Sequence, residues 1–307
     1  MSGWNPDERP IDIHMKYGIV VLDKPAGPTS HQVSAWARDI LELEKAGHGG
    51  TLDPGVTGVL PVAIGNSLRA IDAIHVGSKE YVGTMGFHRK VSEEEVLGVF
   101  KEFTGPIYQL PPVRSAVKRQ LRTRTINSLR LLELNGREAL FRVSCESGTY
   151  IRTLCRDIGD AIGIGANMTE LRRTRTANIG ESEAVTLHDL KDAYVFWKED
   201  GDESWLREAI KPVERMLDHL PGVVLKDSAV DAICHGASLA APGLDDILKD
   251  YNQDQLIVLY SKKGEAVALG KATVASVKAK KKKDGIIAGI ARVIMEPGTY
   301  PQGWKKH

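Results

Sequence analysis

The chain has 307 residues, and its 41 Lys and Arg against 40 Asp and Glu give a formal net charge of +1. A sum this small gives no indication of a polyanionic partner, so any case for nucleic acid must come from local clusters of charge. With 42% hydrophobic and 26% charged residues, the composition is that of a globular protein of about two domains, which excludes collagen-like and wholly disordered classes.

The N-terminal part of the chain predicts a strand, a helix and a loop. Residues 17–22 form a short apolar run that ends in a rigid segment rich in Pro and Gly. A helix should follow an N-cap at Thr29-Ser30, because apolar residues recur at the helical period: Val33, Trp36, Ala37, Ile40 and Leu41. Residues 47–65 contain too many Gly and Pro for a regular element, so we expect a loop there.

The middle of the chain interleaves helices and strands. Ser92 and Glu95 form a capping box ahead of an apolar helical face. Residues 139–145 alternate between apolar and polar side chains, as a half-buried strand would. A second helical stripe follows and leaves Arg152 off its apolar face. We therefore expect a mixed α/β region that extends to about residue 215.

The pattern changes after residue 220, where short β-like runs alternate with Gly-rich turns. These runs lie at residues 223–225, 256–260, 266–269 and 286–295. They predict a small, separate β-barrel or sandwich. Just before it, residues 189–208 carry more acidic than basic side chains, which indicates an exposed acidic connector or a partner surface.

The three cysteines are odd in number and form no Cys-x-x-Cys pair. A disulfide framework and a structural zinc are therefore not expected. The first ten residues lack a secretory signal pattern, and no apolar run approaches the roughly 18 residues that a membrane helix needs. We expect a cytoplasmic protein of a reducing compartment, with no membrane association.

Residues 47–58, which read GHGGTLDPGVTG, surround a single carboxylate. Asp53 lies between apolar Leu52 and rigid Pro54, and the glycines let the backbone approach a ligand closely. Such a carboxylate could act as a nucleophile or a base, although Asp-Pro-Gly is also a common surface turn. The glycine spacing matches neither GxGxxG nor a phosphate-binding loop, which argues against a nucleotide cofactor.

This segment resembles the catalytic motif of pseudouridine synthases of the tRNA synthase B type. The resemblance continues in order and spacing through Lys24-Pro25-x-Gly-x-Thr-Ser-His, Lys79-Glu80-Tyr81, Pro111-Pro112-x-x-Ser-Ala-x-Lys118, Gly148-Thr-Tyr150-Ile-Arg152 and Leu171-Arg-Arg-Thr174. Residues 115–124 and 187–190 are similar to the dyskerin branch, the catalytic subunits of H/ACA guide-RNA particles. The short length is similar to the archaeal members of that branch, and the tail is similar to their PUA domain.

The resemblance implies a fold, a domain order and a chemistry. The fold class is a mixed α/β (α+β) pseudouridine synthase catalytic fold with a small, β-barrel-like C-terminal PUA domain. An N-terminal extension at residues 1–16 precedes a catalytic domain at residues 17–215, and the PUA domain spans residues 220–300. The family needs neither a metal ion nor an organic cofactor.

By the same resemblance, Asp53 is the essential aspartate in a reaction that breaks the N1–C1′ bond of uridine, turns the uracil over and rejoins it through C5. Whether Asp53 attacks C1′ or removes the 2′ proton stays open. Arg152 corresponds to the arginine that pairs with this aspartate, in an expected bidentate contact, although helical periodicity alone makes it a solvent-facing residue. Tyr81 corresponds to the tyrosine that stacks on the uracil and assists removal of the C5 proton. One departure is Gly49, where the motif usually has Thr, and we expect it to loosen the loop.

Further residues are implied in substrate binding and support. Leu171 corresponds to a leucine on the opposite face of the uracil and Tyr150 to a tyrosine that supports the pocket, although both could be ordinary packing residues. His48 occupies the position of a histidine that holds the flipped conformation of the substrate in tRNA-modifying relatives; a local hydrogen bond in the loop is the alternative. Lys24 and Pro25 match a segment that supports the catalytic loop.

Local charge predicts where RNA binds. Every charged residue between positions 103 and 132 is basic, and we expect Lys118, Arg119 and Arg122 in particular to contact substrate phosphates. A second basic cluster comprises Arg172, Arg173 and Arg175. A third, at residues 278–283, could contact guide phosphates or form a mobile charged loop.

The sequence therefore predicts an RNA pseudouridine synthase that a guide RNA directs to ribosomal RNA within an H/ACA ribonucleoprotein. Its expected partners are the substrate RNA, a guide RNA held by the PUA domain, and the small accessory proteins of the particle. Guide-independent modification of the TΨC-loop uridine of tRNA is an alternative. A non-catalytic RNA-binding assembly factor is another, against which the joint presence of Asp53, Tyr81 and Arg152 argues.

Overall fold

The computed structural model describes residues 3–111 and 120–303, which form two β-sheets with helices packed against them. The helices are α1 Ile11–Lys16, α2 Ser30–Ile40, α3 Glu93–Glu102, α4 Ile151–Ile162, α5 Leu187–Asp200, α6 Ser204–Ala209, α7 Asp227–Cys234 and α8 Ser276–Ala279. The strands are β1 Gly18–Lys24, β2 Ala46–His48, β3 Thr57–Ile64, β4 Lys79–Phe87, β5 Gly105–Gln109, β6 Arg122–Asn135, β7 Glu138–Cys145, β8 Ala166–Thr176, β9 Ile179–Gly180, β10 Ile210–Pro212, β11 Gly222–Leu225, β12 Leu239–Ala240, β13 Leu244–Ile247, β14 Leu256–Tyr260, β15 Ala266–Ala272 and β16 Ile286–Val293.

The first sheet places β3, which follows the Asp53 segment, beside β8, which carries Leu171 to Thr174. Its strand order is β10-β1-β3-β8-β4-β7-β6-β5, with β2 paired to β3 and β9 paired to β8. Most pairs are antiparallel, but β3 and β8 run parallel, and Gly58 lies opposite Arg173. Gly58 has φ +98°, and a Cβ there would lie 2.2 Å from the Arg173 carbonyl oxygen, so this close approach of strands requires glycine. The second sheet has the order β12-β16-β15-β14-β11-β13.

The helices predicted from periodicity and caps are confirmed. Thr29 and Ser92 each cap a helix with a complete capping box, and α3 and α4 bury the predicted apolar stripes. The mixed α/β class is confirmed as well. Trp36 is an exception, because its side chain is 44% exposed although it was counted within the apolar stripe of α2.

The expectation of a loop throughout residues 47–65 is wrong. β2 ends at His48 and β3 begins at Thr57, so the irregular segment is confined to residues 49–56. From residue 58 to 64 the strand is fully buried between β1 and β8, as a continuous apolar run in mid-sheet should be. Turn residues cluster ahead of the strand, and their number across the whole segment concealed its apolar second half.

The acidic segment at residues 189–208 is not a connector. It is occupied almost entirely by α5 and α6, which pack on each other and on the main core. Leu190, Ala193 and Tyr194 are buried at helical spacing, and Leu206 joins them from α6. The acidic residues occupy the outer surface of these helices. Counting charges along the segment therefore described its solvent-facing side and not its buried apolar residues.

The C-terminal sheet is not separate from the rest of the molecule. Ile19, Val21 and Val59 on one face of the first sheet share an apolar cluster with Val258 and Leu269 of the second. The N-terminal extension is also integrated, since helix α1 contributes to the main core. The two sheets therefore have a continuous hydrophobic interface.

Within the described parts of the chain, every helix is too short or too polar to cross a membrane.

Candidate active site

Asp53 and Arg152 meet at the surface of the first sheet. Asp53 lies in residues 49–56, hereafter the catalytic loop, and Arg152 lies in the first turn of α4. The Arg152 Nη2 atom donates to Asp53 Oδ2 at 2.5 Å. The two side chains are 62% and 56% exposed, respectively, so solvent reaches the pair. The contact is a single hydrogen bond where we expected a bidentate pair.

Lys24 stabilises the catalytic loop from the protein interior. Its ammonium is buried and donates to the carbonyl oxygens of Pro25, Pro54 and Val56 at 2.9, 3.0 and 2.8 Å. Burial lowers the pKa of Lys24, and the nearby Asp53 carboxylate opposes that shift. Two of the three carbonyls belong to residues within the loop, so a single cation fixes the backbone on the C-terminal side of Asp53.

Ser30 fixes the other side of the loop. Its Oγ accepts a hydrogen bond from the Leu52 amide at 2.8 Å and donates to the Leu52 carbonyl at 3.0 Å. The Gly27 amide adds a bond to the Pro54 carbonyl at 2.9 Å. The backbone on both sides of Asp53 is therefore held while its carboxylate remains accessible.

Tyr81 and Leu171 are buried next to this loop on the adjacent strands β4 and β8. Leu171 lies opposite Gly83, where an added Cβ would come within 2.7 Å of Leu171 Cδ1. Tyr81 lies opposite Arg173. Burial raises the pKa of the Tyr81 hydroxyl, and the positive charge of Arg173 opposes that shift. The structure thus brings the side chains of Tyr81 and Leu171 to the same side of the sheet as the catalytic loop.

Tyr150 is fixed through its backbone at the start of α4. Its amide donates to Gln109 Oε1 at 3.0 Å, and its carbonyl accepts from Gln109 Nε2 at 3.1 Å. Gln109 is itself buried at the end of β5. This reciprocal pair ties the helix that carries Arg152 to the edge of the sheet.

His48 lies on β2 beside His31, with ring centroids 4.9 Å apart in an edge contact. Neither ring nitrogen has a hydrogen-bond partner among the described residues, so the local hydrogen bond considered for this histidine is not found. Burial lowers the pKa of His48, and His31 and Arg173 lower it further. The ring is therefore held neutral.

Gly49 does not loosen the loop, contrary to our expectation. An added Cβ at this position would lie 2.9 Å from Ile74 Cγ2 and 3.1 Å from Ile74 Cβ. Ile74 is fully buried, and the Gly49 amide donates to the Pro61 carbonyl at 2.8 Å. The space that a side chain would occupy is filled by Ile74, so the glycine permits close packing instead of disorder.

The predicted phosphate-binding residues have different outcomes. Lys118 and Arg119 lie outside the described residues. Arg122 begins β6 and is half-buried. Arg124 pairs with Glu146 at 3.3 Å.

In the second predicted basic cluster, two arginines pair with carboxylates and the third is buried. Arg172 pairs with Asp23 at 2.8 Å and with Glu181 at 2.5 Å, and Arg175 pairs with Glu80 at 3.4 Å. Arg173 is fully buried. Carboxylates or burial account for all three arginines, which local sequence could not reveal because their partners are distant along the chain.

Chemistry at this site involves one exposed carboxylate, its guanidinium partner and a buried phenol. Among residues 3–111 and 120–303, no three His, Cys, Asp or Glu side chains gather closely enough to hold a metal ion. The arrangement suits a reaction in which a single carboxylate acts on a bound substrate, with an aromatic face beside it.

Four family descriptions match successive parts of the chain. Residues 1–34 match the DKCLD (NUC011) domain, residues 38–151 the TruB family pseudouridylate synthase N-terminal domain, residues 152–218 the tRNA pseudouridylate synthase B C-terminal domain, and residues 221–294 the PUA domain. The chain is 55% identical to the "Probable tRNA pseudouridine synthase B" of Methanocaldococcus jannaschii, over 99% of this chain and 90% of that protein. The chain belongs to the TruB family of pseudouridine synthases. It is therefore an RNA uridine-to-pseudouridine isomerase.

Other TruB-family proteins and solved structures are similar over nearly the same length. The "Probable tRNA pseudouridine synthase B" of Methanopyrus kandleri is 53% identical, over 98% of this chain and 89% of that protein. A chain in the crystal structure of a Cbf5-Nop10-Gar1 complex superposes with a TM-score of 0.94 and 50% identity, covering 98% of this chain and 92% of that one. A chain in the structure of an H/ACA RNP bound to a substrate RNA containing 2′-deoxyuridine gives a TM-score of 0.92 and 47% identity, covering 99% and 93%. The predicted family, fold class and enzyme class are confirmed.

Sequence reasoning missed Ser30, Gln109 and Arg173 as parts of this site. Ser30 was interpreted as part of a helix start and of the Lys24-Pro25 motif, without a contact to the loop, and Gln109 was not considered. Arg173 was assigned to the surface. In an alternating strand, Arg173 lies on an inward-facing position, and a charged residue at such a position was the available signal. Arg172 and Arg175 obscured that signal, because the three arginines together suggested a surface cluster.

Proposed function

We propose that Asp53 is the carboxylate that acts on the ribose of the target uridine, with Arg152 orienting it and Tyr81 stacked on the uracil. Three observations support these roles: the 2.5 Å contact between Arg152 and Asp53, the exposure of both side chains, and the buried phenol of Tyr81 on β4. Because uracil is a delocalised leaving group that stays in the site, one carboxylate can suffice where glycosidases use two.

Leu171, Tyr150 and His48 complete the proposed substrate pocket, and Lys24 with Pro25 forms its support. The target base must leave its stack to reach Asp53, and an aromatic and an aliphatic side chain can enclose a flipped base. Leu171 is buried beside Tyr81, and His48 is an uncharged ring next to the catalytic loop. Lys118, Arg119 and Arg122 are proposed to bind phosphates of the substrate RNA, and each would contribute a salt-dependent increment of affinity.

We further propose that the enzyme acts with a guide RNA in an H/ACA ribonucleoprotein. One observation carries this proposal: the chain superposes over 99% of its length on a protein solved within an H/ACA RNP bound to substrate RNA. Residues 220–300 would bind the guide as a PUA domain, next to a catalytic domain at 17–215 and an N-terminal extension at 1–16. Proteins equivalent to those in the Nop10 and Gar1 complexes are the expected accessory partners.

A second candidate is guide-independent modification of tRNA. It is favoured by the name of the similar proteins from Methanocaldococcus jannaschii and Methanopyrus kandleri, both described as probable tRNA pseudouridine synthase B. The same site would serve both substrates, because the chemistry at Asp53 is independent of how the uridine is presented.

The deciding experiment supplies the purified protein with an unmodified tRNA transcript alone, and then with a guide, its target and accessory subunits. Pseudouridines are mapped in each RNA, with Asp53→Asn as the inactive control. Modification only in the guided reaction supports the main proposal. Modification of tRNA that does not respond to guide contradicts it and supports the second candidate.

An intracellular location in a reducing compartment is proposed as well, supported by three buried cysteines that are all free thiols.

A further inference from the structure

Arg173 is a buried arginine with no carboxylate partner among the described residues. Its side chain is 1% exposed, and the undescribed residues contain no Asp or Glu that could pair with it. Its Nε donates to the Val59 carbonyl at 2.8 Å and its Nη2 to the Gly50 carbonyl at 3.0 Å. A cation in the interior that rests on neutral acceptors is costly, so a merely structural purpose would be served better by an apolar side chain.

The Tyr81 side chain is the next neighbour of this guanidinium. Tyr81 and Arg173 are directly opposite on β4 and β8, so both side chains project from the same face of the sheet, and the positive charge of Arg173 acts on the phenol. The other charged or titratable groups that act on Tyr81 are the Cys145 thiol from β7 and Asp53 from the catalytic loop, and both disfavour a phenolate. Arg173 is the group that favours it.

Arg173 also has basic neighbours, which lie on the other elements packed around it. Lys79 on β4, His48 on β2 and His75 near the end of the 3-10 segment Gly65–Val76 all have pKa values lowered by burial first, and Arg173 lowers each of them further. The histidines are thereby kept neutral, and the pKa of Lys79 falls to about 7. Arg173 therefore remains the permanent cation of this buried group.

We propose that Arg173 is the positioning residue for Tyr81, holding its hydroxyl against the catalytic loop and stabilising its phenolate when the C5 proton is removed. This inference rests on the proposed function, in which Tyr81 faces the uracil. The guanidinium that lies opposite Tyr81 across the strand pair also donates to the Gly50 carbonyl, so Arg173 connects the position of Tyr81 to the loop that carries Asp53.

The step it assists is the last one in the isomerisation. Once C5 is bonded to C1′, C5 carries both the new bond and its original hydrogen. The phenolate oxygen takes that proton, the C5–H electron pair forms the C5=C6 double bond, and the displaced C6=N1 pair is protonated at N1. The neutral tyrosine then returns its proton to solvent. Arg173 stabilises the anionic form of Tyr81 at the start of this transfer and exchanges no proton itself.

The test compares Arg173→Met and Arg173→Lys with wild type, and uses Arg142→Met as the matched control. Arg142 is an exposed arginine on the neighbouring strand β7, outside the proposed site. Two readouts are measured: tritium release from RNA carrying 5-tritiated uridine from neutral pH to the alkaline limit of RNA stability in a short assay, and the titration of Tyr81 to high pH in protein labelled with ¹³Cζ-tyrosine, assigned with Tyr81→Phe. The second readout needs no RNA and no activity.

We expect Arg173→Met to raise the pKa of Tyr81 and to displace the rising limb of the pH–rate profile upward, each by about one pH unit or more. At neutral pH its kcat should fall at least about tenfold with KM within about twofold, whereas Arg142→Met should match wild type. Arg173→Lys keeps the charge but cannot reach both acceptors, so its profile should keep the wild-type midpoint at a reduced kcat.

Equal losses at every pH, with an unchanged titration of Tyr81, would overturn the proposal and leave Arg173 a packing residue. If Arg173→Met does not fold, Arg173→Lys decides, since an unaltered kcat in that variant has the same meaning. An inactive wild-type enzyme would refute the proposed function instead, and the tyrosine titration would still decide whether Arg173 acts on Tyr81.

Discussion

The ion pair between Arg152 and Asp53 joins two side chains that are each more than half exposed. Surface pairs of this kind contribute roughly 0–1 kcal/mol to folding, because water solvates both partners and salt screens them. The pair is therefore of little use to the fold. This exposure distinguishes Arg152, the proposed partner of the reacting carboxylate, from arginines such as Arg9 whose ion pairs are buried and stabilise the molecule.

We expect Asp53→Asn to abolish pseudouridine formation and Arg152→Met to lower it by roughly a hundredfold, while the free energy of unfolding changes by less than about 1 kcal/mol in either variant. Tritium release from 5-tritiated RNA and urea unfolding measure the two effects, and RNA binding should be largely retained. Arg156→Met, one turn further along α4 and paired with Asp157, is the control that should leave both unchanged. Normal release by Asp53→Asn would contradict the assignment.

Lys79 gives a prediction about pH. Burial lowers its pKa from 10.5 to about 7, and its ammonium donates to the Ile74 carbonyl at 2.6 Å. Between these two values the unfolded chain binds a proton that the folded chain has released, so this residue makes stability rise with pH across that interval. Below pH 7 both states are protonated and its contribution is constant.

Relative to Lys79→Met, the unfolding free energy of wild type should therefore increase by about 1.4 kcal/mol per pH unit from pH 7.5 upward. Urea unfolding at pH 6, 7, 8 and 9 measures this difference. Lys101→Met, on the exposed face of α3, is the control for removal of a lysine charge. Parallel pH dependence in wild type and Lys79→Met would show that the buried amine does not titrate in this range.

At the scale of elements, the catalytic loop is positioned by what lies beneath it. Lys24 from β1 and Ser30 from α2 bind its backbone, and Ile74 from the 3-10 segment fills the space beside Gly49. Three separate elements therefore converge on eight residues. A loop with several glycines is ordered here because its neighbours supply the contacts that its own side chains lack.

This packing predicts that Gly49→Ala destabilises the protein by about 1–3 kcal/mol and lowers kcat, because the new methyl group collides with a buried side chain that cannot move aside. Ile74→Ala in the same chain should recover part of the loss, because it removes the Cγ1 and Cγ2 atoms that the new methyl group would meet. Gly55→Ala is the matched control, since a Cβ at Gly55 meets nothing within 4 Å. Thermal unfolding and tritium release measure both effects, and equal behaviour of the two alanine variants would refute the packing argument.

The elements were predictable where local pattern decides them. The caps at Thr29 and Ser92 and the apolar stripe of α4 are local, and each was found. In α5, by contrast, the charges of residues 189–208 drew attention from Leu190, Ala193 and Tyr194, whose helical spacing was the better signal.

The orientation of Arg173 and Arg175 illustrates a feature that a sequence pattern does not reveal. Strand alternation would place residues 173 and 175 on the same face, but β8 has an irregularity at Thr174, where Glu80 pairs with Arg175 and Tyr81 with Arg173. The extra residue turns Arg175 outward to Glu80 and leaves Arg173 inside. Composition cannot reveal such a bulge. Asp53 and Arg152 could be paired because the order of motifs can be read from the sequence. The burial of Arg173, by contrast, depends on the register between strands.

At the scale of the molecule, the two sheets are joined by polar contacts as well as by their shared apolar cluster. Arg9 forms a buried bidentate pair with Glu214 at 2.7 and 3.0 Å, and Glu214 also accepts the Ala266 amide of β15 at 2.8 Å. One carboxylate thus connects the N-terminal segment to the C-terminal sheet. Many basic residues of the molecule pair with carboxylates from distant parts of the chain. Such pairing is consistent with nearly equal numbers of basic and acidic residues and a formal net charge of +1.

Arg9→Met should lower the free energy of unfolding by roughly 3–5 kcal/mol, because it leaves the Glu214 carboxylate buried without its cation. Hydrogen exchange should accelerate in β15, which loses part of its anchor. Arg38→Met, which removes an exposed pair with Asp39, should change stability by less than about 0.5 kcal/mol. If β15 keeps its protection in Arg9→Met, the coupling between the sheets resides in the apolar cluster alone.

The N-terminal segment has a consequence for synthesis on the ribosome. The Trp4 amide donates to Glu265, the Gly3 carbonyl accepts from Lys263, and Lys16 pairs with Glu296. Residues 3–16 therefore find these binding partners only after the intervening segment of the chain has been translated. Contacts of such long sequence separation form late and slowly. We therefore expect these contacts to be among the last to form.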